Sequence, residues 1–152
     1  MRKISLLDLE SDLKDAHLSN VIISRPEVRS FSNITTSIFE NVLFLNYRFN
    51  EAIIRDVRFL NCMFINVYFE EVFFYDCELK NVVINDSFLT ETYFIRGQMI
   101  NLNLCYHGIN GDNLIQGTKV ESSIIDVDSK WEFSGVTFEN AITIIDGQLT
   151  KY

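Results

Sequence analysis

Proline and glycine are scarce in this sequence. Proline occurs once and glycine six times among 152 residues, and this composition excludes a long disordered linker of the usual kind. A chain of this length without linkers is expected to form one domain.

Long apolar runs and paired cysteines are also missing. No stretch approaches the roughly 18 apolar residues of a membrane span, and the N-terminus reaches Asp8 before an apolar run of signal-peptide length can form. The three cysteines lack zinc or redox spacing, which fits a reducing compartment. We therefore expect a cytoplasmic protein that does not bind membranes.

Motifs that carry catalysis are absent as well. The sequence has no phosphate-binding loop, dinucleotide fingerprint, nucleophile elbow or cysteine pair with metal spacing. Acidic residues outnumber Lys and Arg by 21 to 13, giving a formal net charge of −8. Because direct nucleic-acid binding needs clustered positive charge, we expect neither that function nor an enzyme with a cofactor or metal.

What the sequence does contain is a large apolar residue at every fifth position. A period of five fits neither the 3.6 residues of a helical turn nor the alternation of a simple strand, and it is typical of a solenoid. The series comprises Ile34, Phe39, Phe44, Phe49, Ile54, Phe59, Phe64, Phe69, Phe74, Leu79, Ile84, Leu89, Phe94, Met99, Leu104, Ile109 and Leu114.

The residues around each of these centres also follow a pattern. The residue two positions before a centre is mostly small, and the residue three positions before it is mostly Asn, Asp or Glu. Strand alternation turns the centre and the small residue inward and their neighbours outward. Asn and Asp tolerate turn geometry, so the polar position is predicted to form a corner.

This repeat resembles the pentapeptide-repeat family. Clear units are NCMF at 61–64, DCEL at 76–79, NVVI at 81–84 and DAHL at 15–18. The resemblance implies an all-β fold, a right-handed quadrilateral parallel β-helix with four units per coil and about seven coils. Residues 1–152 would form this single domain, with a bulge near 26–31 and an irregular C-terminal cap over about 117–152. Trp131 is expected to plug the C-terminal end.

Coils of four units bring acidic side chains together on two neighbouring corners. Like charges held roughly 5 Å apart repel each other. The acids are either tolerated on a solvated corner or form an anionic stripe that a basic protein groove accepts in place of DNA. The predicted acidic ridge consists of Glu51, Glu70, Glu71, Glu91, Asp56 and Asp76.

The side between these corners is predicted to be apolar on its outer surface. Aromatic and branched side chains pair well along a sheet, but an exposed apolar patch also marks contact surfaces. Simple sheet packing and a partner or homodimer interface therefore both remain open. The outward residues are Ile53, Phe73 and Tyr93 in one column and Tyr75, Ile95 and Ile115 in the next.

The resemblance implies a binding function without catalysis. Some acidic bacterial members of the family mimic duplex DNA and protect a type II topoisomerase, DNA gyrase, against quinolone antibiotics. The best hypothesis is therefore a protein that binds and modulates or protects DNA gyrase. The alternative is an immunity protein that neutralises a bacterial toxin such as a nuclease, or an effector-type scaffold. A homodimer through the C-terminal end or the apolar face is a further hypothesis.

Overall fold

The computed structural model describes residues 2–5, 12–24, 31–106 and 111–152, and the fold over these ranges is all-β. The strands are β1 (Arg2–Ser5), β2 (Asp12–Lys14), β3 (His17–Ser19), β4 (Val21–Ser24), β5 (Asn33–Thr35), β6 (Ile38–Glu40), β7 (Leu43–Leu45), β8 (Arg48–Asn50), β9 (Ile53–Arg55), β10 (Arg58–Leu60), β11 (Met63–Ile65), β12 (Tyr68–Tyr75), β13 (Glu78–Lys80), β14 (Val83–Ile95), β15 (Gln98–Ile100), β16 (Asn103–Tyr106), β17 (Asn113–Gln116), β18 (Lys119–Glu121), β19 (Ile124–Val127), β20 (Trp131–Ser134), β21 (Thr137–Glu139), β22 (Ile142–Ile145) and β23 (Gln148–Lys151). Within the described ranges, no helix is long and apolar enough to cross a membrane.

Corners recur at every fifth position because the backbone adopts left-handed conformations there. The corner residues from Asn41 to Asn101 have φ angles between 48° and 54°. Their N–H groups donate to carbonyl oxygens of the next coil, as Asn41 does to Leu60 at 2.9 Å. Asn and Asp reach this conformation more readily than other non-glycine residues, so the predicted corner positions are confirmed.

Consecutive coils pair in parallel, and each centre lies above the centre four units earlier in the chain. Phe59 pairs with both Phe39 and Leu79, and all three side chains are buried. On this side of the solenoid seven strands stack on one another, in the order β3-β6-β10-β13-β15-β18-β21. The parallel β-solenoid with four sides is therefore confirmed, and it makes roughly six turns, where about seven were predicted.

Columns of phenylalanine rings fill the interior. Phe44 stacks on Phe64 with ring centroids 4.6 Å apart, and Phe74 stacks on Phe94 at the same distance. Small residues such as Ala52 fill the inward positions next to the corners and are fully buried. Burial of these apolar side chains is the main stabilising contribution to the fold.

The count of five does not continue unbroken to Leu114. Phe94 pairs with Ile115, and Tyr93 pairs with Leu114, so this coil is one residue longer than the coils between Ile34 and Phe94. Ile115 is buried, and the predictions that Leu114 is a centre and Ile115 faces outward were wrong. One additional residue between Leu104 and Ile115 accounts for the shift. Ile109 lies outside the described residues.

The next two sides keep this new phase, and the phase then changes again, because Ile115 pairs with Phe133 and Val120 with Phe138. Val120 and Ile125 are buried centres, although the unshifted count would have placed Lys119 and Ile124 there. The shift keeps Lys119 at the surface, where its ammonium group pairs with Glu121 and Glu139. A lysine without a partner would be costly to bury.

The first coil is lengthened in the same way, since Leu13 pairs with Ile34. The bulge predicted near 26–31 falls almost entirely on residues outside the described ranges. At the other end, β22 and β23 form an antiparallel hairpin. Trp131 is buried, and its ring lies 6.4 Å from Phe94 and 5.9 Å from Tyr106.

Candidate partner-binding face

The predicted site residues lie on two corners of the solenoid and on the side between them. This side, called the binding face below, is formed by β9, the second half of β12 and the last residues of β14, which pair in register. Its outward residues form two columns. The aromatic ladder consists of Ile53, Phe73 and Tyr93, and the second column consists of Arg55, Tyr75 and Ile95.

The first corner, called the glutamate column, consists of Glu51, Glu71 and Glu91. Their φ angles are 51°, 54° and 51°, so the backbone turns each side chain outward, and all three are exposed. No hydrogen bond or ion pair to their carboxylates is found within the described part of the chain. Adjacent strands are about 4.8 Å apart, so the column holds like charges close together without a neutralising partner.

Glu70 precedes Glu71 but does not add free charge to this column. Its carboxylate accepts a hydrogen bond from a guanidinium nitrogen of Arg48, and the two groups form an ion pair. Strand alternation turns Glu70 toward the neighbouring side of the solenoid. The sequence places Arg48 and Glu70 in adjacent coils, but only the side-chain geometry shows that they pair.

The second corner carries Asp56, Asp76 and Arg96. Nε and Nη2 of Arg96 donate to the two carboxylate oxygens of Asp76 at 3.0 and 2.9 Å. These hydrogen bonds lower the pKa of the Asp76 carboxyl below its ordinary value. Asp56 has no such partner among the described residues. The negative charge of the predicted ridge is therefore concentrated on the glutamate column and Asp56.

The aromatic ladder is partly exposed. Phe73 and Tyr93 stack with ring centroids 4.7 Å apart and an interplanar angle of 17°, and Ile53 below them is 41% exposed. Burial raises the pKa of the Tyr93 hydroxyl above its ordinary value, and the nearby charges of Glu91, Asp112 and Glu71 raise it further. The top of the ladder therefore lies in a negative potential.

Tyr75 in the second column is contacted by two arginines. The guanidinium carbon of Arg55 lies 5.0 Å from the centre of the Tyr75 ring, and that of Arg96 lies 5.9 Å away. Both distances fall within the range of cation–π interactions. The prediction of a wholly apolar column omitted Arg55, although its place one coil before Tyr75 could have revealed it.

A second exposed aromatic pair lies on the neighbouring side and was missed from the sequence. Tyr68 and Phe88 stack at 4.7 Å and are 44% and 39% exposed. The signal was available, because the two residues occupy the same position in consecutive coils. The pair lies in the column of Arg48, so the apolar pattern does not extend to the coil before Tyr68.

Features of an enzyme site do not come together in the described part of the chain. No three His, Cys, Asp or Glu side chains there could hold a metal ion. Burial raises the pKa of the Cys62 and Cys77 thiols to about 11 and about 12, which makes them poor nucleophiles at neutral pH. The arrangement on the binding face is suited to contact with another macromolecule.

No protein-family model matches the sequence, and the comparison with curated proteins finds no match. Solved structures are similar in fold. A trypsin-treated form of QnrB1, described as a plasmid-mediated fluoroquinolone resistance protein, is 15% identical with a TM-score of 0.64, and the match covers 86% of this chain and 71% of that one.

Two further matches have low TM-scores. Full-length QnrB1 is 12% identical with a TM-score of 0.44, covering 83% of this chain and 69% of that one. The pentapeptide repeat protein Rfr23 from the cyanobacterium Cyanothece 51142 is 12% identical with a TM-score of 0.29, and the match covers 88% of this chain and 90% of that one. The coil geometry and the trypsin-treated QnrB1 structure show that this chain has the parallel β-solenoid fold of the pentapeptide-repeat proteins.

Proposed function

We propose that this chain is a non-catalytic binding protein that docks a basic surface of a protein partner through the glutamate column. The observation that carries the proposal is that Glu51, Glu71 and Glu91 are stacked, exposed and without a neutralising partner in the described chain. Such an arrangement destabilises the free protein and becomes favourable when a cationic surface covers it.

The partner that we propose is a type II topoisomerase, DNA gyrase, whose DNA-binding groove would accept the solenoid as a DNA mimic. One strand of duplex DNA carries a charge about every 3.4 Å along its axis, and the glutamate column carries one about every 4.8 Å. The net charge of −8 has the sign required. The resemblance to acidic pentapeptide-repeat proteins supports this choice of partner.

The test is inhibition of gyrase supercoiling by the purified chain. The variant Glu51→Lys/Glu71→Lys/Glu91→Lys, called the column reversal below, is expected to lose inhibition by at least about tenfold, because each lost charge contact contributes on the order of 1 kcal/mol. Full inhibition by this variant, or no inhibition by the wild-type chain, would contradict the proposal.

A matched control carries the same change in net charge at other exposed positions. Asp86→Lys/Asp146→Lys/Glu139→Lys is suitable, because all three residues are exposed and lie on other sides of the solenoid. Asp86 and Asp146 also share a left-handed φ angle of 48°. The control is expected to inhibit nearly as well as the wild type. If both variants lose inhibition equally, net charge and not the glutamate column is responsible.

The aromatic ladder favours a second candidate function, an immunity protein that covers a bacterial toxin. Phe73 and Tyr93 offer a stacked apolar surface, for which duplex DNA has no counterpart, and exposed aromatic residues are frequent anchors of protein interfaces. If a toxin gene lies beside this one, co-expression should rescue growth, and Phe73→Asp should abolish the rescue. Unchanged rescue by Phe73→Asp would exclude the ladder as the contact.

A further inference from the structure

The two edges of the binding face differ in their arginine contacts. The glutamate edge is the glutamate column, and the aspartate edge is the corner of Asp56, Asp76 and Arg96. At the aspartate edge, Arg96 forms a bidentate ion pair with Asp76 and also lies over the Tyr75 ring. One guanidinium group thus joins a corner carboxylate to the aromatic ring beside it. Arg55, which pairs with Tyr75 from the preceding coil, contacts the same ring.

Among the residues that the structure describes, the glutamate edge has the carboxylates and the rings but no arginine paired with them. Phe73 lies two positions after Glu71, and Tyr93 follows Glu91 in the same way. Strand alternation turns both rings outward beside the column, where they are partly exposed. Arg48 on the neighbouring side is already paired with Glu70.

We propose that the aromatic ladder and the glutamate column together bind an arginine-bearing segment of the protein partner, and that they select arginine over lysine. This inference deepens the proposed function, and it rests on that function only in assuming a protein partner with a basic surface. The partner's guanidinium groups would contact Phe73 and Tyr93 as Arg96 contacts Tyr75, and the glutamates would accept their hydrogen bonds.

The negative charge of the surface favours a basic segment as the ligand, and the aromatic rings favour arginine over lysine in that segment. The negative potential at the ladder excludes an acidic or nucleic-acid ligand, because such a ligand would bring like charge to Glu71 and Glu91. A guanidinium is planar, stacks on aromatic faces and donates two parallel hydrogen bonds to a carboxylate. A lysine ammonium is more strongly hydrated and forms neither contact as well.

The inference is tested with two synthetic heptapeptides that carry three arginines or three lysines at alternating positions. In an extended peptide these side chains point to one side. The dissociation constants for the full chain are measured by fluorescence anisotropy at low salt. The arginine peptide is expected to bind roughly threefold to tenfold more tightly, as for two exposed cation–π contacts. Equal affinities would overturn the inference.

Two aromatic variants separate the ladder from the rest of the surface. Phe73→Leu/Tyr93→Leu keeps apolar side chains on the sheet and is expected to abolish the preference for arginine. Tyr68→Leu/Phe88→Leu removes the other stacked pair, which has the same 4.7 Å spacing, and should leave the preference unchanged. A preference that survives the first variant, or that disappears in the second, would overturn the inference.

A second copy of the chain is the competing occupant. If sedimentation shows a dimer that Phe73→Leu/Tyr93→Leu dissociates, the ladder is a homodimer interface and the inference is wrong. Failure of the arginine preference can be distinguished from failure of the proposed topoisomerase function. Selective arginine binding without gyrase inhibition would refute the choice of partner alone, and gyrase inhibition with equal peptide affinities would refute the arginine preference alone.

Discussion

Removing the negative charge of Glu71 should stabilise the protein. Glu71 lies between Glu51 and Glu91 in the glutamate column, and all three adopt left-handed corner conformations. Two unit charges roughly 5 Å apart in water repel by about 0.8 kcal/mol, and physiological salt reduces this by about half. With two neighbours, Glu71→Gln is expected to raise the free energy of unfolding by about 1 kcal/mol.

Glu71→Asn should stabilise further because it also suits the corner. Asn adopts left-handed backbone conformations at lower cost than Glu, and corner asparagines in adjacent coils donate to each other, as Asn81 does to Asn61 at 2.9 Å. The expected gain is about 1–2 kcal/mol, or a rise in Tm of roughly 3–8 °C for a chain of this size.

Urea unfolding followed by circular dichroism measures both effects, and it is repeated at low and high salt. The stabilisation by Glu71→Gln should shrink as salt screens the column. Asp86→Asn is the control, since Asp86 is a corner residue whose neighbour in the preceding coil is the neutral Asn66. Its effect should be small and nearly independent of salt. Destabilisation by Glu71→Gln at low salt would refute the reasoning about repulsion.

Three other predictions concern the core, the second corner and the thiols. Gly97→Ala should destabilise by about 1–3 kcal/mol in urea unfolding, because its Cβ would lie 2.5 Å from the carbonyl oxygen of Cys77; a neutral effect would contradict the tight packing. Arg96→Gln should raise the pKa of the Asp76 carboxyl toward its ordinary value in an NMR titration, since Arg96 is the main cause that lowers it. In the wild type, the stabilising effect of Asp76 should be present above the ordinary carboxyl pKa and lost as pH falls through the lowered one; an unchanged pKa in Arg96→Gln would exclude the ion pair. Cys62 and Cys77 should not react with a thiol reagent in the native protein at neutral pH but should react after unfolding, because burial raises their pKa values to about 11 and about 12; rapid native reaction of both would contradict their burial.

The sequence predicted the fold because its period is set by backbone geometry. A corner at every fifth position requires small, polar and apolar residues in a constant order, and this order is visible along most of the chain. The phase was lost after Leu104 because one added residue left an apolar side chain at both Leu114 and Ile115. Burial of Val120 next to the surface residue Lys119 resolves that ambiguity.

The positions of the candidate site residues followed from the same register, but their pairing did not. Glu70 and Asp76 are neutralised by Arg48 and Arg96, and these contacts depend on side-chain conformations that periodicity does not specify. The functional role of the glutamate column and the aromatic ladder remains a prediction.

The most direct test of the account is the binding of purified DNA gyrase to the chain over a range of salt concentrations. The account predicts that the dissociation constant rises steeply with salt, that duplex DNA competes with the chain, and that the column reversal weakens binding by at least about tenfold. Binding that is independent of salt and equal for the column reversal, or no binding at all, would contradict it.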